Sequence, residues 1–231
     1  TTVESPSRWT TPAGVYDAWF ERPWGCYATA AEHRMLLAAA GPVAGAAVLD
    51  AGCGTGRFMQ RLEAEGADVI GVDRDADALA IARTRTTGAL LLGDAHQLAL
   101  PDRSVDAAFA GSVCAFASGP ARVFAELCRA VSPGGRVVVG SPDRARPWGC
   151  WNRRQFGSAP WSTARFLDRR ALLGLGAAHG RCRLQAGLYS PRALPMIERW
   201  SPVLERLGSL LAPGLGAFQV LTIDIPGPTT R

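Results

Sequence analysis

Apolar strand-like segments alternate with amphipathic helical patterns from residue 47 to residue 140. The sequence predicts five strands here, at Ala47–Ala51, Asp68–Asp73, Ala89–Gly93, Val105–Ala110 and Arg136–Gly140. It predicts the intervening helices at Arg57–Glu65, Asp75–Thr86 and Arg122–Val131. Such alternation is typical of a parallel sheet with helices on both faces. The first three strands are apolar rather than alternating, as expected of strands buried in that kind of sheet. We therefore predict an α/β, doubly wound fold.

Less regular sequence flanks this alternation. The N-terminal part, residues 1–41, predicts two helical pieces near Tyr16–Phe20 and Tyr27–Ala40. The second piece carries an apolar stripe of Ala28, Ala31, Met35, Ala38 and Ala39. After Ser141 the alternation stops, and the sequence predicts strands at Cys182–Leu188 and Phe218–Ile225 with a helix near Leu194–Leu211.

Composition excludes several classes of protein. The chain has 231 residues, of which 48% are hydrophobic, enough for one buried core. No apolar run reaches the roughly 20 residues that span a bilayer, and Thr1–Thr11 lacks the pattern of a signal peptide, so we expect a cytoplasmic protein without membrane insertion. No C-x-x-C pair is present, and we expect no metal site. All basic side chains are Arg, which excludes mechanisms that need a catalytic Lys.

A glycine-rich turn joins the first strand to the first helix. Gly52, Gly54 and Gly56 have the spacing G-x-G-x-G, and Arg57 stands where the NAD fingerprint needs its third glycine. Asp50, just before the glycines, would repel a pyrophosphate but could accept a hydrogen bond from an ammonium group. Both features favour a cationic, amino-acid-bearing cofactor over NAD.

Two further acidic residues follow strands at the same edge of the predicted sheet. Asp73 ends the second strand, where a carboxylate can accept both hydroxyls of a ribose. Asp94 follows the third strand and could accept a hydrogen bond from an adenine amino group, with the backbone of Ala95 beside the ring.

Four segments, VLDAGCGTG, VIGVD, GDAHQLALPDRSVDAAF and RAVSPGGRVVVG, occur in the order found in class I S-adenosylmethionine-dependent methyltransferases. The chain resembles this family, in the broad group of ubiquinone/menaquinone-biosynthesis methyltransferases, over Val48–Gly140. The resemblance implies a Rossmann-like, seven-stranded, mostly parallel sheet with the last strand antiparallel. It also implies one domain over residues 1–231, divided into a helical cap (1–41), a cofactor-binding core (42–141) and a substrate-side insert with the last two strands (142–231).

The same resemblance implies roles for individual residues toward S-adenosylmethionine and its product S-adenosylhomocysteine. Asp50, Gly52 and Gly54 would line the methionine part, with Cys53 and Gly56 in the same turn. Asp73 would hold the ribose, Arg74 would lie beside the adenine, and Asp94 and Ala95 would bind the adenine. Ser112 would face the methionine side, and Tyr16 would contact the sulfonium or the substrate. No catalytic residue is assigned.

Several other residues have a structural and a functional interpretation. We place His96 on the adenine rim rather than as a base, His179 in an exposed loop and His33 on the surface of the N-terminal helix. Cys114 is expected to pack in the interior, and Asp106 lies at the wrong end of the sheet for catalysis. Tyr16, Trp19 and Phe20 form an aromatic cluster that either packs on the sheet or covers the cofactor and substrate.

The methyl acceptor is the least determined part of the prediction. Asp143–Arg170 contains seven Arg and two Asp residues, a difference that equals the net charge of the whole chain, +5, and it also contains three Trp and two Phe residues. This composition suits a small aromatic or acidic acceptor, a single-stranded nucleic acid, or a solvated surface insert. We favour the small molecule, because Ser112–Ala115 replaces the N/D-P-P-Y/F motif of base-amine methylation. A nucleotide-dependent oxidoreductase and a non-catalytic binding protein remain alternatives, and the acceptor atom, the use of a base and the oligomeric state stay open.

Overall fold

The described strands form one seven-stranded sheet with helices on both faces, in agreement with the predicted fold class. The computed structural model describes residues 9, 11–143, 161–190 and 197–227. The strands are β1 (Ala47–Ala51), β2 (Asp68–Asp73), β3 (Ala89–Leu92), β4 (Val105–Gly111), β5 (Val131–Pro142), β6 (Arg181–Gly187) and β7 (Phe218–Asp224). Their order is β3-β2-β1-β4-β5-β7-β6, and β7 is antiparallel to both of its neighbours.

The helices lie close to their predicted positions. In the described residues they are α1 (Ala13–Trp19), α2 (Pro23–Ala40), α3 (Arg57–Ala64), α4 (Ala76–Ala82), α5 (Pro120–Ala130), α6 (Arg169–Ala177) and α7 (Ile197–Leu211). Helix α4 is shorter than predicted, because the chain turns at residues 83–87 before β3. Asp75 caps its N-terminus by accepting hydrogen bonds from the backbone of Asp77 and Ala78 at 2.9 and 3.2 Å. None of the described helices is long and apolar enough to cross a lipid bilayer.

Helix α6 is absent from the sequence-based prediction. It begins after Asp168, whose carboxylate accepts a hydrogen bond from Ala171 N at 2.8 Å. An Asp before the leucine-rich run 172–175 is an N-cap signal that could have identified this helix. The side chain of Leu172 is fully buried against the sheet.

Strand β3 is partly exposed, whereas the apolar sequence of the first three strands predicts that all of them are buried. It pairs only with β2 and lies at the edge of the sheet. Leu91 and Leu92 are 37% and 66% exposed, so the apolar sequence of this strand does not reflect burial on both faces. An edge strand of a parallel sheet lacks one neighbour, and its apolar pattern alone does not distinguish it from a central strand.

Two hydrophobic clusters cover the two faces of the sheet. Residues of α2 and α3, such as Leu36, Phe58 and Leu62, pack in the first cluster. Residues of α5 and α6, such as Phe124 and Leu172, pack in the second. Strands β1 and β4 pair in the centre of the sheet, where the strand order reverses. The crevice beyond the carboxyl ends of such a strand pair is the usual ligand site of open α/β sheets.

Candidate active site

The glycine-rich turn after β1 requires glycine at each of its three glycine positions. Gly52, Gly54 and Gly56 have φ angles of 76°, 53° and 79°, the left-handed region that other residues rarely adopt. A Cβ atom on Gly52 would come within 2.6 Å of the Val113 side chain, and one on Gly56 within 3.0 Å of Ala82 Cβ. The turn therefore brings bare backbone to the carboxyl end of β1 and lets α3 begin close to α4.

Asp73 holds this turn against the end of β2. Its Oδ2 accepts a hydrogen bond from Gly54 N at 2.7 Å, and its Oδ1 accepts one from Asp75 N at 2.9 Å. Burial raises the pKa of this carboxyl group and outweighs the backbone hydrogen bonds that lower it. Two oxygens with about four lone-pair sites still have acceptor capacity for a ligand.

A first cleft opens above the ends of β1, β2 and β4. It encloses about 910 Å³ of empty space, part of which is open to solvent. Eight of the predicted site residues line it: Tyr16, Gly52, Gly54, Asp73, Arg74, Asp94, Ala95 and Ser112. Ser112 adopts a left-handed conformation with φ of 63°, fixed in part by the hydrogen bond from its N to Gly140 O at 2.9 Å.

Asp94 and His96 form a closed hydrogen-bonded unit on the rim of the first cleft. Asp94 Oδ1 accepts from His96 N at 2.9 Å and lies 2.6 Å from His96 Nδ1. His96 Nε2 accepts from Gly119 N at 3.3 Å, so the proton of the neutral imidazole lies on Nδ1 and points to Asp94. Burial acts to raise the pKa of Asp94, but the two bonds from His96 outweigh it and lower that pKa. With both ring nitrogens engaged, His96 belongs to the rim and is not available as a base.

A second cleft, of about 750 Å³, adjoins the first. Six residues line both clefts: Tyr16, Gly52, Gly54, Thr55, Gly111 and Ser112. The second cleft, but not the first, is also lined by Asp50 and Cys53, from the end of β1 and its turn. Gly56 lines neither cleft and acts as the N-terminal cap residue of α3.

Asp50 is an unsatisfied polar group in the wall of the second cleft. The residue is 3% exposed, and its Oδ2 is buried without a hydrogen-bond partner among the described residues. Burial and the nearby Asp73 raise the pKa of Asp50 to about 7. A buried carboxylate without a partner is costly unless a ligand supplies a donor or a positive charge.

Helix α1 closes both clefts from above. Tyr16 lines both, and its ring packs edge-to-face on Trp9 and Phe20 with centroid distances of 4.6 and 4.7 Å. Trp19 and Phe20 line the second cleft. The aromatic cluster therefore lines the clefts, and Trp19 also packs against the core cluster, as the first of the two interpretations expected; a cover over cofactor and substrate stays a prediction.

An ion-pair network fixes α1 in this position. Asp17 accepts hydrogen bonds from Arg85 Nη1 and Nη2 at 2.8 and 2.6 Å and from Arg57 Nε at 2.9 Å. Thr55 Oγ1 donates to the same carboxylate at 2.7 Å. Burial opposes ionisation, but the bonds from Arg85 and Arg57 outweigh it and hold the pKa of Asp17 well below its usual range. This network could not be predicted from the sequence, because its members are far apart in the chain.

Comparison with known proteins identifies the family. A family described as a methyltransferase domain matches residues 49–139. Malonyl-[acyl-carrier protein] O-methyltransferase of Yersinia pestis is 31% identical over 186 residues, covering 67% of this chain and 70% of that enzyme. The chain belongs to the class I S-adenosylmethionine-dependent methyltransferases. A crystal structure from Thermotoga maritima, described as a methyltransferase of this type and a possible histamine N-methyltransferase, matches with a TM-score of 0.73 and 25% identity, covering 92% of this chain and 95% of that one.

A further relative differs in length. A 37.1 kDa protein in a transposon of Streptomyces fradiae is 38% identical over 106 residues, which cover 43% of this chain. The chain spans 31% of the length of that protein.

The structure also shows the positions of three other residues considered in the sequence, Cys114, Asp106 and His179. Cys114 is 1% exposed in the core, where burial raises the pKa of its thiol to about 12, as expected of a packing residue. Asp106 accepts a hydrogen bond from Ala47 N at 2.9 Å at the far end of the sheet, which confirms its structural role. His179 lies in the turn between α6 and β6, but it is partly buried rather than exposed.

The prediction that His33 lies on the surface is wrong, because His33 lies in the wall of the second cleft. It lines the second cleft, and its ring lies 4.8 Å from the ring of Phe58. Burial, with smaller contributions from Arg61 and Arg57, lowers the pKa of His33 to about 4, so the imidazole is neutral at pH 7. The apolar stripe of α2 also differs from the predicted one. Ala38, which belongs to the predicted stripe, is exposed, and Leu36, which does not, is buried.

Proposed function

We propose that this chain transfers the methyl group of S-adenosylmethionine to a small molecule that binds in the second cleft. The observation that carries the proposal is the junction of the two clefts. The first cleft contains the acceptors proposed for ribose and adenine, the second cleft adjoins it, and both meet at Tyr16, Gly52 and Ser112. A methyl group held at this junction would face the second cleft. We further propose that residues 1–231 act as one domain, with the predicted cap, core and insert, in the cytoplasm.

The residues of the first cleft and of the adjoining end of the second fit the cofactor. Asp50, in the second cleft, has an unpartnered Oδ2 that would accept from the α-ammonium group, and the bare backbone of Gly52 and Gly54, which line both clefts, would admit the methionine part. Asp73 uses its remaining acceptor capacity for the ribose hydroxyls. Arg74, Asp94 and Ala95 surround the adenine, and Ser112 and Tyr16 lie on the sulfonium side. Cys53, which lines the second cleft, and Gly56, which begins α3, would contribute to cofactor binding through the same turn.

The bound cofactor supplies an activated methyl group on a positively charged sulfur. The tasks left to the protein are to align the acceptor with that methyl group and to exclude water. The aromatic rings of α1 perform the second task, because they lie over the junction and are held there by Asp17. Burial and the carboxylates of Glu32 and Asp17 raise the pKa of Tyr16, so its hydroxyl remains protonated and can donate a hydrogen bond.

The Arg- and Trp-rich stretch, residues 143–170, is the basis of a second candidate function, the methylation of a nucleic acid. Most of it, including Arg153 and Arg154, lies outside the described residues. Its described end lies at the carboxyl edge of the sheet, where Arg165 N donates to Ala115 O at 2.7 Å. Replacing Arg153 and Arg154 with Ala is expected to raise the acceptor KM and to leave cofactor affinity unchanged. Strongly salt-dependent RNA or DNA binding that is lost in this double variant would favour a nucleic-acid substrate instead.

Two measurements test the proposed function. Calorimetry with S-adenosylmethionine and S-adenosylhomocysteine should show binding of both, and NADH should not bind. Incubation of the chain with labelled S-adenosylmethionine and fractionated cell extract should then transfer label to a low-molecular-mass product. Binding of NADH without binding of the methyl donor would support the oxidoreductase alternative. Binding of S-adenosylmethionine without transfer of label to any fraction of the extract would support the alternative of a non-catalytic binding protein.

A further inference from the structure

One face of α2 places polar side chains inside the second cleft. Thr29, Glu32 and His33 occupy positions i, i+3 and i+4, which lie together on one side of a helix, and all three line the cleft. The hydroxyl oxygen of Thr29 is buried without a hydrogen-bond partner in the described part of the chain. The Glu32 carboxylate likewise has no hydrogen bond or ion pair to any described residue.

The charged groups around Glu32 do not neutralise it. The titratable groups that line the second cleft are Tyr16, Glu32, His33, Asp50, Cys53 and Arg57. Arg57 is the positive group of this set, and its guanidinium is bound by the carboxylates of Asp17 and Glu21. The described wall therefore offers hydrogen-bond acceptors to a ligand and no uncommitted positive charge. Such a wall suits a donor-bearing cation better than an anion.

The walls beside these groups are aromatic. Tyr16, Trp19, Phe20 and Phe58 line the same cleft. Aromatic faces attract ammonium groups, and they also pack against a planar hydrocarbon portion. The second cleft thus combines an unpaired carboxylate with aromatic surface.

We propose that the methyl acceptor is a small aromatic or apolar amine whose nitrogen is bound and deprotonated by Glu32. This inference rests on the proposed function, and it names the acceptor atom, nitrogen. It differs from the acidic acceptor that the Arg-rich stretch suggests.

The proton and the bonds balance in two steps. The amine arrives as an ammonium ion, and as it binds, the proton that Glu32 carries near neutral pH leaves to solvent. One of the ammonium protons then passes to the Glu32 carboxylate, which frees the nitrogen lone pair. The nitrogen then forms the new N–C bond while the S–C bond of the cofactor breaks and leaves its electron pair on sulfur. The product is a methylated ammonium ion, and Glu32 is again protonated, as it was before the amine bound, so one proton is released in total. Desolvation in the cleft raises the pKa of Glu32 to about 8, which suits a group that takes up a proton near neutral pH.

The test compares ligands of one shape and different charge. The full chain, saturated with S-adenosylhomocysteine, is titrated calorimetrically with 2-phenylethylamine, 2-phenylethanol and 3-phenylpropionate. We expect the amine to bind, the alcohol to bind more weakly and the carboxylate not to bind. At pH 7 the amine should also displace a proton from Glu32, so the measured enthalpy should vary with the ionisation enthalpy of the buffer.

Glu32→Gln keeps the shape of the side chain and removes its charge. It should weaken amine binding at least about tenfold, as expected for the loss of one charge-assisted hydrogen bond. It should also abolish the buffer dependence and leave the affinity for S-adenosylhomocysteine unchanged. Glu65→Gln is the matched control, because Glu65 lies on the surface and pairs with Arg61.

The outcomes separate the two proposals. If S-adenosylhomocysteine binds but the amine does not, or if the carboxylate binds better than the amine, the amine proposal is wrong and the proposed function stands. The same holds if Glu32→Gln leaves amine affinity and buffer dependence unchanged. If S-adenosylhomocysteine itself fails to bind, the proposed function is wrong.

Discussion

Asp17 and Arg85 are 68 positions apart, yet their side chains meet in a two-bond ion pair with distances of 2.8 and 2.6 Å. Asp17 belongs to α1, and Arg85 follows α4. The pair therefore connects the cover of the site to the cofactor-binding core. Arg57 binds the same carboxylate, so removal of the Asp17 charge would leave the guanidinium groups of Arg57 and Arg85 close together, with the exposed Glu21 as the remaining counter-charge of Arg57.

Asp17→Asn is expected to loosen α1 more than it destabilises the whole chain. Charged hydrogen bonds contribute about 1 kcal/mol more than neutral ones, so the Kd for S-adenosylhomocysteine should rise up to about tenfold. Amide hydrogen exchange in α1 should become faster, while exchange in β1 and β4 should not change. Glu21→Gln is the control, since Glu21 is 72% exposed and binds the same Arg57. Equal effects of both substitutions would contradict a specific role for Asp17.

Asp73→Asn tests the proposed ribose contact. The substitution keeps one carbonyl oxygen for Gly54 N or Asp75 N but removes the charge, so cofactor affinity should fall about tenfold or more. Asp73→Ala should lower affinity further and also reduce stability, because the part-buried N–H groups of Gly54 and Asp75 lose their acceptor. Calorimetry with S-adenosylhomocysteine and thermal unfolding measure the two effects separately.

Asp68→Asn provides the control for that experiment. Asp68 begins the same strand that Asp73 ends, and it is exposed at the opposite edge of the sheet. It should change neither affinity nor stability. A folded Asp73→Asn variant with the Kd of the unaltered chain would show that the ribose is not bound there.

Gly52→Ala should damage the site through two separable effects. At φ of 76° an alanine is strained by roughly 1–2 kcal/mol. Its Cβ would also lie 2.6 Å from Val113 Cγ2, so the backbone or Val113 must move. We expect cofactor binding to be lost and the melting temperature to fall.

Gly45→Ala isolates the first effect. Gly45 has a similar φ of 70°, but a Cβ there meets no atom within 4 Å. This variant should show the strain alone and keep its affinity for S-adenosylhomocysteine. Comparable losses in both variants would mean that the contact with Val113 is unimportant.

The part of the fold that is local in sequence could be predicted. Strands β1 and β2 have the predicted bounds, because their apolar segments end at an acidic residue or a glycine turn. The carboxyl ends of neighbouring parallel strands meet at one edge, so the clustering of Asp50, Asp73 and Asp94 also followed from the pattern. Edge placement of β3 could not be predicted, since it depends on which strand has no second neighbour.

Contacts between distant segments account for what the sequence analysis missed. Glu32 and His33 lie next to the apolar stripe of α2, and only the position of that helix over β5 and β7 turns them into the cleft. The signal available in the sequence was a polar stripe at Thr29, Glu32 and His33 beside an apolar one. Asp17 gave no signal, because its partners come from two other helical segments.

Glu32 and His33 should give the stability of the chain opposite pH dependences. Burial raises the pKa of Glu32 from 4.5 to about 8, so between these pH values the group is neutral in the folded chain and ionised in the unfolded chain. The folded state then holds more protons, and stability falls as the pH rises through this window. Burial lowers the pKa of His33 from 6.5 to about 4, so between these pH values the group is neutral in the folded chain and protonated in the unfolded chain. The unfolded state then holds more protons, and the stability of the folded chain falls as the pH falls from 6.5 toward 4.

Glu32→Gln should therefore be more stabilising at pH 8 than at pH 5. The difference in unfolding free energy between the variant and the unaltered chain should grow by at least about 1 kcal/mol over this range, since one pKa unit corresponds to about 1.4 kcal/mol and the cleft admits some water. Asp50, whose pKa is about 7, is present in both proteins, so its contribution largely cancels in the comparison. Urea unfolding at pH 5, 6, 7 and 8 measures the difference directly. A difference that stays constant with pH would show that the Glu32 carboxylate is already solvated or paired in the folded chain, and it would remove the basis for its role as a proton acceptor.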